Sequence, residues 1–257
     1  MPSERIIDGP KRALVTGAGA RLGQAMAIAL AERGWSVAIH YRKSRQGAEA
    51  TAAAIAKIGG RSALVQADLS SEEETATLER VAQEALGGPL TLLVNSASTF
   101  ENDSALEHSR ADWDFHMGPN LRAPVLLAQH FARSLPGDDA GLIVNMIDMR
   151  VLKLNPQFFT YTLSKAALWD ATRTMAQSFA PNIRVNAIGP GPTLANVHQK
   201  PGEFEAEALQ TLTQKGSNPD EIVKALRYLI EADSVTGQMI ASDGGQHLMW
   251  QTPDVML

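Results

Sequence analysis

Residues 16–23, TGAGARLG, constrain the fold of this chain more than any other stretch. They follow the apolar run Ala13-Leu14-Val15 and lead into Leu22, Met26 and Ala29, apolar residues at helical spacing. The order predicts a strand, a glycine turn and the first turn of a helix. Gly17, Gly19 and Gly23 let the backbone turn tightly and approach a ligand, and the free N–H groups and positive dipole end of the following helix favour a phosphate. The spacing G-x-G-x-x-x-G is one residue longer than the common dinucleotide fingerprint, so the turn alone allows either a pyrophosphate site or a plain strand-to-helix connection.

The rest of the chain repeats the same alternation. Strands are predicted at 36–40, 62–67, 90–95, 141–147, 182–188 and 238–241. Helices are predicted at 46–57, 71–86, 110–133 with a kink at Gly118-Pro119, 158–179 and 219–230. Gly59-Gly60 and Gly87-Gly88-Pro89 stop two of the helices. Seven strands in strict alternation with helices predict an α/β fold, a doubly wound, Rossmann-like parallel sheet with helices on both faces and right-handed crossovers. No linker-like stretch divides residues 1–257, which read as one domain, with an irregular loop at 190–217 that carries a short helix and covers the substrate. Asn196, His198, Lys200, Glu203 and Glu205 of that loop name no ligand.

Composition narrows the class. A formal net charge of −5 gives no basis for a nucleic-acid or anionic-membrane partner, and no apolar run is long enough to span a bilayer. The amino-terminal MPSERIIDGPKR lacks the apolar centre of a signal peptide. With no cysteine, disulfide and thiolate chemistry are excluded and a cytoplasmic location is expected. The histidines at 40, 108, 116, 130, 198 and 247 show no metal-ligand spacing, so no metal is expected. Trp113 and Phe115 read as core or interface packing, and Asp243-Gly244-Gly245 as a turn.

In an open parallel sheet, ligands sit beyond the carboxyl ends of the strands, so the residues after each strand are the candidates. Gly17, Arg21 and Leu22 follow the first strand. His40, Tyr41, Arg42, Lys43 and Ser44 follow the second, with no Asp or Glu to bond both ribose hydroxyls but with two cations and a hydroxyl, a set that favours NADPH over NADH. Asp68 and Leu69 follow the third, where the carboxylate either meets an adenine amino group or makes a turn. Asn95, Ser96, Ala97 and Ser98 follow the fourth and let backbone run close to a flat ligand. Pro190, Gly191 and Thr193 follow the sixth and could hold a nicotinamide carboxamide.

Tyr161 and Lys165 stand four residues apart on one helix face. An ammonium beside a phenol favours the phenolate, so the pair is expected to bring the tyrosine closer to neutral pH as a proton donor and acceptor. Thirteen residues before Tyr161, at the end of the fifth strand, is Asp148.

Taken together, TGAGARLG, the Asn95-Ser96-Ala97-Ser98 turn, Asn120, Tyr161-x-x-x-Lys165 and Pro190-Gly191 resemble the short-chain dehydrogenase/reductase family over essentially the whole chain. The resemblance implies hydride transfer with NAD(P), Tyr161 as acid and base, Lys165 on the nicotinamide ribose, Asn120 ordering a water for a proton relay, and a homotetramer. Arg21, His40-Tyr41-x-x-Ser44, Ser98, Phe100 and Asp148 depart from the common pattern and resemble the pteridine reductase branch, which includes bacterial dihydromonapterin and dihydrofolate reductases. There the resemblance implies a pterin between nicotinamide and Phe100, with Ser98 in the substrate site, Arg21 touching phosphate and pterin, and Asp148 with Tyr161 supplying the proton. Ser96 stands where that branch often keeps asparagine.

Chemistry supports the shift away from ketones. A serine hydroxyl can donate to a carbonyl oxygen, whereas an ionised aspartate only accepts, which suits a substrate presenting ring N–H groups. The expected activity is NADPH-dependent reduction of a pterin or related N-heterocycle. A carbonyl reductase acting on a ketoacyl thioester or sugar, and a non-catalytic NADP-binding sensor, are the alternatives.

Overall fold

The computed structural model describes residues 10–251 except 138 and 196–198. The calls on Asn196, His198 and the first nine residues therefore lie outside the described residues. The strands are β1 (Arg12–Val15), β2 (Ser36–Tyr41), β3 (Ser62–Gln66), β4 (Leu92–Asn95), β5 (Gly141–Met146), β6 (Ile183–Pro190) and β7 (Met239–Ser242). All pair in parallel in the order β3-β2-β1-β4-β5-β6-β7, so the strand order reverses between β1 and β4. The helices are α1 (Arg21–Ala31), α2 (Arg45–Lys57), α3 (Glu72–Leu86), α4 (Arg110–Met117), α5 (Ala123–Ser134), α6 (Phe159–Ser178), α7 (Glu203–Leu209) and α8 (Pro219–Glu231). This is the doubly wound α/β sheet expected from the alternation.

The strands read as apolar runs because both faces are covered. Along β4, Leu92 and Val94 enter one core cluster with Met26, Ile222 and Leu226, while Leu93 enters the other with Leu78, Leu127 and Phe131. Period-2 alternation thus feeds one layer containing α1 and α8 and another containing α3 and α5. Helix ends follow local chemistry. Ser71 caps α3 by accepting from the Glu74 N–H, Ser109 and Asp112 form a reciprocal capping box on α4, and Asn218 caps α8.

Most boundaries shift by a residue or two, and two of the differences bear on the site. The kink at Gly118-Pro119 is a π turn over Gly118–Arg122 between α4 and α5, which buries Asn120. β6 also runs on through Gly189 and Pro190, which pair with Ala241 and Ser242, so these residues form strand rather than a free turn. The short helix in the loop is α7. Trp113 and Phe115, expected in a core or an interface, are half-exposed on α4. Among the described residues no helix is long and apolar enough to cross a membrane.

Candidate active site

A cavity of about 1710 Å³ opens at the carboxyl ends of the strands around the β1/β4 reversal. Gly17 shapes its floor. Its φ is +66°, and a Cβ there would stand 2.9 Å from the Ala97 Cα, so a side chain is both strained and blocked. Thr16 fixes the neighbouring strand exit, its hydroxyl oxygen accepting from the N–H groups of Ser96 and Ala97 at 2.9 and 3.0 Å. Unlike α3, α4 and α8, α1 begins without a side-chain cap and without an acid in its first turn, and Ala20, Arg21, Leu22 and Gly23 face the cavity. That is the disposition of a helix N-terminus that receives an anion.

His40 braces this floor. Its Nδ1 accepts from the Gly17 N–H at 3.1 Å and its Nε2 lies 3.1 Å from the Ala67 carbonyl, which makes Nε2 the protonated nitrogen. Burial pushes its pKa down to about 4, against the hydrogen bond to Ala67, so the ring is neutral at physiological pH. The edge of the cavity carries Arg42, 3.9 Å from Asp68. Asp68 itself accepts from the Ser70 N–H and hydroxyl at 2.9 and 2.7 Å, a turn role, while still facing the cavity with Leu69.

The reacting wall is built by β5, the turn after it and the start of α6. The Tyr161 hydroxyl donates to Asp148 Oδ2 over 2.9 Å, and the backbone N–H of Arg150 donates to Oδ1 over 2.8 Å. Burial raises the Asp148 pKa, opposed by the Arg150 N–H and guanidinium, by Tyr161 and by Lys165. Tyr161 lies well above the ordinary phenol value, because of burial first and the Asp148 carboxylate second. The sequence reading expected Lys165 to lower it. The structure reverses the sign, since a phenolate would face a carboxylate, while the Lys165 ammonium lies 5.8 Å from the ring and donates to the Met146 carbonyl over 2.8 Å. Burial pushes Lys165 down to about 8.

Aromatic rings complete the wall. Phe100 stacks on Phe158 with centroids 4.3 Å apart and 11° between planes, and meets Tyr161 edge to face at 4.7 Å. Asn120 holds the segment that carries Phe100. Its amide donates to the Thr99 carbonyl and the Ser164 hydroxyl, and its oxygen accepts from the Thr99 N–H and the Ser98 hydroxyl. The carboxamide expected to order a water is therefore engaged with protein.

A family model described as enoyl-(acyl carrier protein) reductase matches residues 17–247. The chain belongs to the short-chain dehydrogenase/reductase family. Among solved structures, this reductase is similar to FolM alternative dihydrofolate reductase 1 from Brucella canis complexed with NADP, at 47% identity and TM-score 0.93, covering 99% of this chain and 100% of that one. The promiscuous ketoreductase LugOII is 30% identical, with TM-score 0.87 and coverage of 96% and 100%. Glucose 1-dehydrogenase 2 of Bacillus subtilis is 31% identical, over 93% of this chain and 95% of that protein.

The cavity of this short-chain reductase brings together Gly17, Arg21, Leu22, His40, Arg42 and Asp68 at one end. At the other it gathers Ser98, Phe100, Asp148, Tyr161 and Lys165, with Ala97, Pro190 and Gly191 between. Three expected cofactor residues behave otherwise. The Tyr41 ring is in the core with Val37 and Ile39, since alternate residues of β2 share a face and His40 takes the opposite one. Asn95 is buried, donating to the Asn145 side chain over 2.8 Å. Ser44 is exposed at the start of α2 and is not part of the cavity wall. Arg21, expected to touch phosphate and pterin, donates to the Ala195 and Leu194 carbonyls at 2.7 and 3.1 Å, tying the glycine turn to the substrate loop. The Thr193 hydroxyl donates to the Gly191 carbonyl over 2.9 Å. Arg150, Phe158 and Thr16 are not singled out as site residues by the sequence. For Thr16, its place one residue after an apolar strand was the available signal.

Proposed function

We propose that the protein is an NADPH-dependent reductase of a pterin or a related N-heterocycle. The observation that carries this reading is the Tyr161 hydroxyl donating to Asp148 Oδ2 at 2.9 Å, beside the aromatic wall of Phe100. The residues present suit a phosphorylated dinucleotide. The floor at Gly17 leaves no room for a Cβ, α1 opens uncapped towards the cavity, and Arg42 and Lys43 follow β2 where a 2′-hydroxyl-binding acid would otherwise stand. Support also comes from the Brucella canis neighbour, whose name includes dihydrofolate reductase and whose structure holds NADP.

NADPH, when bound, supplies the hydride. The protein side of the reaction is a proton. Held protonated by burial and by Asp148, Tyr161 is a donor across the neutral range and delivers its proton to a ring nitrogen. As a carboxylate, Asp148 accepts an N–H from the ring and so selects a nitrogen heterocycle over a ketone. Lys165 orients the ribose and offsets the charge left on the phenol. Phe100, stacked on Phe158, is part of the aromatic wall that the ring would meet, with Ser98 beside it, and Arg21 reaches both phosphate and substrate once it leaves the Leu194 and Ala195 carbonyls. The reductase works as a cytoplasmic homotetramer of single-domain subunits, a reading that gives the half-exposed Trp113 and Phe115 and the exposed Trp250 a partner surface.

The likeness to LugOII favours a second reading, reduction of a ketone on the same wall. NADPH consumption measured with dihydrobiopterin, dihydromonapterin and dihydrofolate, against simple ketones, separates the two. Turnover of the pterins is expected. Fast reduction of ketones with none of the pterins would sink the proposal.

A further inference from the structure

The short 3-10 turn Met149–Val151 carries a cation that the proton-delivering pair does not explain. Arg150 meets Asp148 twice at one oxygen, its backbone N–H 2.8 Å and its guanidinium Nε 3.9 Å from Oδ1, while Oδ2 takes the phenol of Tyr161. The same guanidinium lies over two rings, its carbon 4.8 Å from the Phe158 centroid and 5.8 Å from that of Phe100. An exposed ion pair of this length would contribute little. Here the side chain is only 20% exposed, and a guanidinium seated on aromatic faces keeps its place better than a free one.

We infer that Arg150 is a positioning residue for proton delivery: from its seat on the stacked Phe158 and Phe100 rings it favours the charged form of the Asp148 carboxylate and holds it turned so that Oδ2 meets Tyr161. The inference rests on the reading of Asp148 and Tyr161 as the proton-delivering pair. It adds a link between the aromatic wall and the charge state of the acid, so a change in the rings is felt at the carboxylate. The other groups facing Asp148 come from α6, where Tyr161 donates to it and Lys165 adds a more distant positive charge, while His116 of α4 lies behind the Tyr161 ring at 6.0 Å. The Lys165 ammonium is engaged by the Met146 carbonyl, which leaves Arg150, among the described residues, as the cation in contact with the carboxylate.

The test is a carboxyl titration by carbon NMR of protein labelled in aspartate, with the Asp148 signal identified by its loss in Asp148→Asn. Arg150→Met keeps an apolar stem on the rings and removes the charge, and Arg150→Lys keeps a charge. Arg150→Met is expected to move the Asp148 midpoint up by about one pH unit, with the acid limb of kcat following it. Arg150→Lys should recover most of that shift. An unmoved midpoint in Arg150→Met, or an equal shift in both variants, overturns the inference. The titration needs no substrate, so an error in the substrate class leaves its outcome standing. Conversely, an unmoved midpoint in an enzyme that reduces dihydropterins removes the role of Arg150 alone.

Discussion

The phenol of Tyr161 donates to Asp148 Oδ2 across 2.9 Å, joining the first turn of α6 to the exit of β5. Members of this family often place a serine where Asp148 stands, and the exchange alters what the site can recognise. A hydroxyl can donate to a carbonyl oxygen, while a carboxylate must find an N–H. Asp148→Ser is therefore expected to lower kcat/KM for a dihydropterin by about 10²- to 10⁴-fold, the range of a positioned acid or base. The same variant should reduce ketones faster than the parent. Steady-state rates on both substrate types check this.

The site also sets a pH window. Asp148 is raised by burial, so its carboxylate is lost at a higher pH than an ordinary aspartate, and the acid limb of kcat should lie above the usual carboxylate range. Lys165, pushed down to about 8, loses its ammonium above that value, which places the alkaline limb near it. A pH profile of kcat reads both limbs. A plateau from pH ~4 to ~10, the ordinary values of the two side chains, would contradict the assignments.

Stability should change in the opposite direction to activity. A carboxyl whose pKa is higher folded than unfolded favours the folded state below its unfolded value, near ~3.9, and loses that advantage as pH rises through the folded value. Once ionised, above its folded pKa, Asp148 is thus a cost, and there Asp148→Asn should raise Tm by roughly 2–4 °C for each kcal/mol relieved. The gain should shrink as pH falls towards 4, the trend that calorimetry at several pH values would follow.

The proposed preference for NADPH assigns the 2′-phosphate to Arg42, which lines the cavity, and to its neighbour Lys43. Replacing both with alanine removes the cations after β2, each able to make a charge-assisted bond of ~1.5–3 kcal/mol. The Kd for NADPH should rise at least about 10-fold, with that for NADH nearly unchanged. Fluorescence titration gives both constants, and equal losses for the two nucleotides would mean that these cations do not read the 2′-phosphate.

Thr16 supports the floor. In Thr16→Val the N–H groups of Ser96 and Ala97 lose their acceptor, at ~1–3 kcal/mol for each group left buried and unpaired. Urea denaturation should show that loss in Thr16→Val and not in Thr16→Ser, which retains the oxygen. Similar midpoints for the two variants would deny the hydroxyl its role.

What could be read in the sequence was local or periodic. The glycine motif that runs from the end of β1 into α1 is eight consecutive residues, and Tyr161 and Lys165 share a face through helical spacing. The role of His40 was not legible, because its partners, the Gly17 N–H and the Ala67 carbonyl, lie at the exits of two other strands and meet only through the sheet order. Tyr41 could have been placed correctly, since Val37, Ile39 and Tyr41 alternate along β2 and share one face, opposite to that of His40. The Tyr161 shift was not legible because its largest cause is burial, which the sequence does not show, and because pairing Asp148 with Tyr161 by resemblance gives no distance between them. Phe100 and Phe158 come together from separate segments to form the wall on which Arg150 sits.

The most direct measurement is a crystal structure with NADP and a dihydropterin bound together. The account requires the bicyclic ring to lie flat beside Phe100, with a ring N–H donated to Asp148 and a ring nitrogen within hydrogen-bonding distance of the Tyr161 hydroxyl. A ring that lies elsewhere, or that turns a carbonyl oxygen to Tyr161 with Asp148 unbonded, would contradict it.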